Sequence, residues 1–401
     1  MHSTKSGLLL LEDPSKPVFD LRSALGSVLG SAAGMAKGSN TEGDVLTQTI
    51  DGRSLNDIWR EFQASLDLWN GARSNLVQAL TFPVTAPIED VPQVSSEDFE
   101  EASEFGEPKG IRGGDYFSMG YDFKWYDLAI RYTWKYLAEA TGAQVESLNN
   151  MALEADNRLV FSKVLKAIFN NVNRVADIRG QNVNVYPFYN NDGTVPPKWK
   201  NYTHLSTHQH YITSGAAAIV SGDLDDIETH LVHHGYGKQN GSSIVLLANR
   251  TEIAVMRGFR VATGASFDFI PASGQAPWLL PTNTGGVVSP QGGSVGSTFN
   301  GLPVVGQYGP FAIVEEDYIP AGYVLAFATG GQNQASNPVG FRQHQNSGLH
   351  GLRLVKGPQA DYPLVDSFYN RGFGTGVRHR GAGLVMQITA AGAYTIPTDY
   401  V

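Results

Sequence analysis

The strongest apolar periodicity lies between residues 54 and 80, where Leu55, Trp59, Phe62, Leu66 and Trp69 recur at spacings of four, three, four and three. Those intervals place all five on one stripe of an α-helix. Ser54 stands where an N-cap is needed, Asp57 falls in the first turn near the positive end of the helix dipole, and Pro83 closes the segment. A stripe this rich in large rings predicts core packing or subunit contact. A longer helical pattern runs from Thr141 to Asn171, with Val145, Leu148, Ala152, Ala155 and Leu159 on one face and Glu146, Asp156 and Arg158 as its polar positions. About thirty residues at 1.5 Å each make a rod of about 45 Å, long beside a typical helix of about 11 residues.

Between these helices the period changes to two. Tyr121, Phe123 and Trp125 alternate with Asp122 and Lys124, as in a strand with one wet face. On the far side of "GEPKGIRGGD", Phe99, Ser103 and Phe105 share a parity, so two strand-like arms around a glycine-rich tip predict a long hairpin. Residues 175 to 401 are mixed. Residues 222–234 read as a helix stopped by Gly235, "SSIVLLAN" as a buried strand, and Asn249 as the cap of a helix starting at Arg250. Residues 285–301 read as a Gly/Ser-rich loop, and the segments around "GYVLAFA" and "GLVMQIT" as strands. With no internal repeat, the order gives an α+β fold class. The segment "GSVLGSAAGMAKGSNTEGD" near the start is expected to be loosely structured.

Charge and composition narrow the function. A net charge of −9 and a pI of about 5.6 argue against a nucleic-acid-binding domain. Charged residues make up only 17%, against about a quarter in typical domains, which fits a chain that buries surface against partners as well as within itself. Without cysteine there are no disulfides, thiolate zinc sites or thiol nucleophiles. The apolar run near the N-terminus is four leucines, too short for a signal-peptide core, and no run approaches the roughly 18 residues of a membrane span, so a soluble protein with no membrane partner is expected.

No catalytic constellation emerges. His204, His208 and His210 cluster in one stretch and His230, His233 and His234 in another. His230 and His234, at i and i+4, share a helix face that could hold a metal, but Leu231 stands where a zinc-protease helix carries glutamate. The plainer reading is a set of histidines closing a helix C-terminus, and no metal or other cofactor is expected. Gly372, Gly374 and Gly376 precede a strand rather than joining strand to helix, which fits a flexible turn better than a phosphate loop. No G-x-S-x-G elbow occurs. The carboxylates of 97–107 would be solvated on an exposed hairpin, without the burial that shifts a pKa for acid–base work.

The succession of loose arm, charged hairpin, long helix, α/β region and final strand resembles the major capsid proteins of tailed bacteriophages, the Hong Kong 97-type fold. "WYDLAIRYTWKYLAEATGAQVESLNN" is similar to that family's passage from hairpin into spine helix, and "DSFYNRGFGTGVRHRGAGLVMQITAAGAYTIP" to its C-terminal strands. The resemblance covers roughly residues 50 to 401. It implies an N-terminal arm at 1–85 and an extended hairpin loop at 86–125. It further implies a peripheral domain with the spine helix at 126–174, a mainly axial domain at 175–365, and C-terminal strands at 366–401 returning through the peripheral to the axial domain. It also implies self-assembly as hexamers and pentamers into an icosahedral virion capsid around double-stranded DNA, built in the bacterial host cytoplasm, with a portal and scaffolding or decoration proteins as partners. The arm before Ser54 is shorter than the scaffolding domain of about a hundred residues that some members carry.

On this reading the protein is not an enzyme, and Glu97, Glu100, Glu101, Glu104, Lys109, Arg112, Asn370, Arg378 and Arg380 are the intersubunit candidates, with the four glutamates meeting basic groups of another copy. Some members join a loop lysine to a neighbour's asparagine. Lys109 and Asn370 occupy roughly suitable regions, though no catalytic carboxylate accompanies them and one lysine in a glycine-rich tip is ordinary turn chemistry. A cellular nanocompartment shell shares the fold, and a metal-dependent enzyme using the histidines is the alternative of another class.

Overall fold

Side chains of Thr133, Thr141 and Asn249 cap helix starts in this computed structural model, which describes residues 46–71, 74–92, 116–178, 180–273, 295–357 and 366–401, together with 101, 102, 104 and 106. The chain runs through α1 (Leu55–Gly71), α2 (Asn75–Leu80), β1 (Thr81–Val84), β2 (Ile88–Pro92), β3 (Tyr116–Gly120), β4 (Lys124–Arg131), α3 (Trp134–Glu139) and α4 (Gly142–Phe169). Next come β5 (Arg174–Ile178), β6 (Gln181–Val185), β7 (Tyr211–Thr213), α5 (Ser221–His233), β8 (Ser243–Ala248), α6 (Arg250–Met256) and β9 (Ile270–Pro271). Strand dominates the rest: β10 (Thr298–Phe299), β11 (Leu302–Pro303), β12 (Gly306–Tyr308), β13 (Phe311–Glu315), β14 (Tyr323–Thr329), β15 (Val339–Arg342), β16 (Leu352–Lys356), β17 (Asp366–Val377) and β18 (Gly383–Gln387).

The larger sheet has seven strands in the order β7-β18-β14-β8-β13-β12-β9, with β7–β18 and β8–β13 parallel and the other pairs antiparallel. Its central strands are continuously apolar from Ile244 to Ala248 and from Val324 to Ala328 because both faces are covered. Val245, Leu247, Leu325, Phe327 and Val385 face one core, with Val160 to Phe169 of α4. Ile244, Leu246, Val324, Ala326 and Leu384 face the other, with Leu224, Ile227 and Leu231 of α5. The α+β class is therefore present, and Asn249 caps α6 through the Thr251 amide as the sequence indicated.

In α1, Leu55, Ile58, Trp59, Phe62 and Leu66 are buried, which matches the predicted stripe, but the helix ends at Gly71 and α2 follows separately. The long helix is opened by a capping box between Thr141 and Gln144. Its buried face departs from the prediction: Val145, Asn149, Ala152, Asp156, Val160 and Val164 point inward. Asp156 goes inside because Arg371 of β17 is there to meet it, Nε to Oδ1 2.5 Å, and the Trp69 indole of α1 donates to its other oxygen at 2.9 Å.

The hairpin also pairs differently. β2 and β3 are antiparallel partners with Ile88 opposite Gly120, so the paired arms are 88–92 and 116–120; Phe99, Ser103 and Phe105 lie outside the described residues. Tyr121, Phe123 and Trp125 do not share one strand, since β4 starts at Lys124. The reason is β17. Gly372, Gly374 and Gly376 form no turn but lie inside that twelve-residue strand, at alternate positions and hence on one face. A Cβ on Gly374 would sit 1.5 Å from the Asp122 carbonyl oxygen, one on Gly376 2.7 Å from the Gly120 oxygen, and one on Gly372 2.5 Å from the Trp125 ring. The bare face lets the 120–123 backbone cross directly over the strand before β4 pairs beside it.

Candidate functional site

The hairpin emerges from this crossing, and several side chains clamp its root. Glu89 of β2 accepts from the hydroxyl of fully buried Tyr121 at 2.8 Å and pairs with Arg378 at 2.6 Å. Burial and the Glu89 carboxylate both push the Tyr121 phenol up, so it stays a neutral donor. Asp122 accepts from the Thr375 amide at 2.6 Å and from Arg174 at 2.8 Å, and Arg342 donates to the Tyr121 carbonyl at 2.8 Å. The root is thus fixed by backbone contact, partly buried hydrogen bonds and two ion pairs.

Of the intersubunit candidates, Glu101 and Glu104 are exposed. Glu97, Glu100, Lys109 and Arg112 lie outside the described residues. The other three have partners within the chain. Asn370 bridges its cross-strand neighbours: its amide donates to Asp127 of β4, and its oxygen accepts from Arg353 of β16 at 2.6 Å. Arg378 is held by Glu89 and lies over the Phe82 ring, 5.5 Å from its centroid. Arg380 is only 2% exposed and pairs with Asp192 at 2.8 Å. Its guanidinium lies 4.6 Å from the Tyr189 ring centroid and 4.9 Å from that of Tyr186. Burial opposes ionisation of Asp192, but the Arg380 charge and hydrogen bonds outweigh it and hold the carboxyl below its ordinary range. The partners Glu89, Asp122, Asp156 and Asp192 do not read as site residues in the sequence, because the arginines that meet them lie far away along the chain.

Several large apolar side chains remain uncovered: Leu68 of α1 is 77% exposed, Trp134 of α3 76%, and Met151 of α4 61%. Trp125 and Phe123 sit edge to face beside a cleft of about 520 Å³ lined also by Pro87, Ile88, Arg342 and His344. None of these surfaces brings a nucleophile, base and oxyanion donor together.

The histidines fall differently from the sequence reading. His234 ends α5 as its C-cap, as a helix-closing residue would. It does not pair with His230, whose Nδ1 donates to the Asp226 carbonyl at 2.8 Å. Instead it meets His204, His208 and His210 from the stretch before β7. Among the described residues no helix is long and apolar enough to cross a membrane.

No family model matches the chain, and no curated protein matches it. Among solved structures, one from Mycobacterium phage Patience is 46% identical, with 92% of this chain and 98% of that chain covered and a TM-score of 0.69. The capsid of cyanophage P-SCSP1u matches at 12% identity over 91% of this chain and 98% of that chain, with a TM-score of 0.42. The SrpI encapsulin complex of Synechococcus elongatus PCC 7942 matches at 13% identity over 93% of this chain and 97% of that chain, with a TM-score of 0.43. Near-complete coverage at 46% identity, on a fold of hairpin, long helix and seven-stranded sheet, places the chain in the family of tailed-bacteriophage major capsid proteins with the Hong Kong 97-type fold.

Proposed function

We propose that this capsid shell protein assembles as hexamers and pentamers into an icosahedral shell that encloses the double-stranded DNA genome of its phage. The observation that carries the reading is the 46% identity over almost the whole of both chains with the Mycobacterium phage Patience protein. The stiff root of the 88–120 hairpin supports it, because an arm that binds a neighbour gains affinity when its base is ordered beforehand. The residue ranges 1–85, 86–125, 126–174, 175–365 and 366–401 then act as arm, extended loop, peripheral domain, axial domain and returning strands. Glu97, Glu100, Glu101 and Glu104 would face basic groups on the adjacent copy, and the uncovered Leu68, Trp134 and Met151 would be covered there. The −9 charge limits adhesion of packaged DNA to the inner wall. Portal, scaffolding and decoration proteins complete the particle, which is assembled in the host cytoplasm, and the role is structural rather than enzymatic.

Negative-stain microscopy of the expressed protein is expected to show closed shells of megadalton mass, and particles from infected cells are expected to hold nuclease-protected DNA. A small monodisperse oligomer would overturn the proposal. Shells filled with an enzyme in place of DNA would reassign the protein to a nanocompartment.

A further inference from the structure

Four imidazoles gather where the stretch before β7 passes the C-terminus of α5. The Nε2 atoms of His208 and His234 are 2.7 Å apart, those of His210 and His234 2.9 Å, and those of His208 and His210 3.0 Å. His204 stacks on His234 with centroids 4.2 Å apart and planes 4° from parallel. Its Nε2 is buried with no hydrogen-bond partner, and ring nitrogens of His204, His208 and His234 all lie within 4.8 Å of one another. Tyr189 stacks on His234 at 5.5 Å, so His234 is held between two rings.

Protons alone cannot satisfy this arrangement. His210 Nδ1 lies 2.6 Å from the Gly383 carbonyl oxygen, which can only accept, so Nδ1 carries the hydrogen. In the neutral ring Nε2 is then a bare lone pair aimed at His208 and His234. If both of those carry a hydrogen on Nε2, two N–H groups face each other across 2.7 Å. If only one does, the other pairs with His210 lone pair to lone pair. If neither does, all three contacts are repulsive. Adding a second proton to any ring cannot remove the conflict, because each Nε2 is either bare or bonded to one hydrogen, and among three such atoms two are always alike.

A cation at the centre converts every contact into an attraction. Tetrahedral zinc with Zn–N bonds of about 2.0–2.1 Å separates its ligand nitrogens by about 3.3 Å, so the triangle needs to open by only a few tenths of an ångström. The His210 Nδ1–H to carbonyl bond is the kind of outer contact that fixes a ligand tautomer. We propose that His208, His210 and His234, with His204 beside the fourth position, form a structural site for a divalent first-row metal ion such as zinc, tying the 204–210 stretch to the end of α5. The shell reading is not needed for this inference, and each can fail without the other.

The test uses the whole chain after EDTA treatment and dialysis, with zinc alone as the probe. Uptake of one equivalent per chain is expected, with a rise in melting temperature that EDTA reverses. Cobalt(II) in its place is expected to give the strong visible bands of a tetrahedral site. His208→Gln and His234→Gln are each expected to weaken zinc binding at least about 100-fold, and His350→Gln, outside the cluster, to leave it unchanged. Lack of stoichiometric uptake by the wild-type chain would overturn the proposal without any variant being needed. Equal uptake by a folded H208Q/H234Q double variant would overturn it as well.

Discussion

Replacing Gly374 by alanine tests the account of the hairpin root most directly. The added Cβ would sit 1.5 Å from the Asp122 carbonyl oxygen and 2.3 Å from its carbon. Ordinary contact needs about 3.4 Å or more, so the crossing backbone must lift by roughly 2 Å. Backbone cannot swing aside as a flexible side chain does. The lift would break the Thr375 amide bond to Asp122 and the Arg342 bond to the Tyr121 carbonyl, each worth about 1–3 kcal/mol where a charged group takes part. Overpacking itself costs about 1–3 kcal/mol, so the total comes to about 3 kcal/mol or more, a large share of a typical domain's stability. Gly372→Ala meets only the Trp125 ring and the tip of Phe123, which can shift, and is expected to cost about 1–2 kcal/mol. Gly392→Ala, with nothing within 4 Å, is the control and is expected to change stability by less than about 0.5 kcal/mol. Urea unfolding of the three variants gives the ranking. If Gly374→Ala were as stable as Gly392→Ala, the backbone crossing would be wrong.

Other expectations follow from the buried charges and the exposed arm. Asp156→Ala strands the Arg371 guanidinium in the core and is expected to cost about 3–5 kcal/mol in thermal or urea unfolding, whereas D156L combined with R371M should recover most of that loss. Asp192→Asn is expected to destabilise by about 3 kcal/mol at neutral pH. Because the folded-state pKa of Asp192 is depressed, its contribution is present above the ordinary value of 3.8 and is lost as pH falls below it, so wild-type and variant unfolding curves should converge in acid. Reversing Glu101 and Glu104 to lysine is expected to leave the monomer's melting temperature within about 1 °C, since exposed charges contribute little, but to impair shell assembly by light scattering; unimpaired assembly would refute an intersubunit role. Denaturing electrophoresis of mature particles is expected to give a single monomer band, because the Asn370 amide is already bound to Asp127 within its own sheet; a ladder of linked chains would show the reverse.

The features legible in the sequence are those set by neighbours a few residues apart. The long helix from Thr141, the Asn249 cap, the α1 stripe and the buried "SSIVLLAN" strand need only local chemistry and a continuous apolar run. The family followed from their order. What the sequence hid depends on distant partners. Asp156 belongs on a polar face by any helical pattern, and it turns inward only because β17 brings Arg371 to it. The glycines of 372–376 show a clear period of two, the mark of a strand, yet their density suggested a turn; the backbone that demands bare positions there comes from residue 122. His230 and His234 had the better spacing for a metal, but the fold gives His234 partners from a segment that its own helix does not predict.

One strand connects the first two of these misread features. β17 presents its glycine face to the hairpin root at Gly372, Gly374 and Gly376, while Arg371, one position before, reaches Asp156 in α4 and Asn370 holds β4 and β16 together. A force on the hairpin from a neighbouring copy therefore reaches the long helix through two or three residues of one strand, with no loop between. Close-packed interiors pass such strain on instead of absorbing it. In a shell this coupling would make the angle between hairpin and long helix a fixed property of each subunit. Variation in subunit geometry around the particle would then be taken up elsewhere, beyond the residues that β17 clamps.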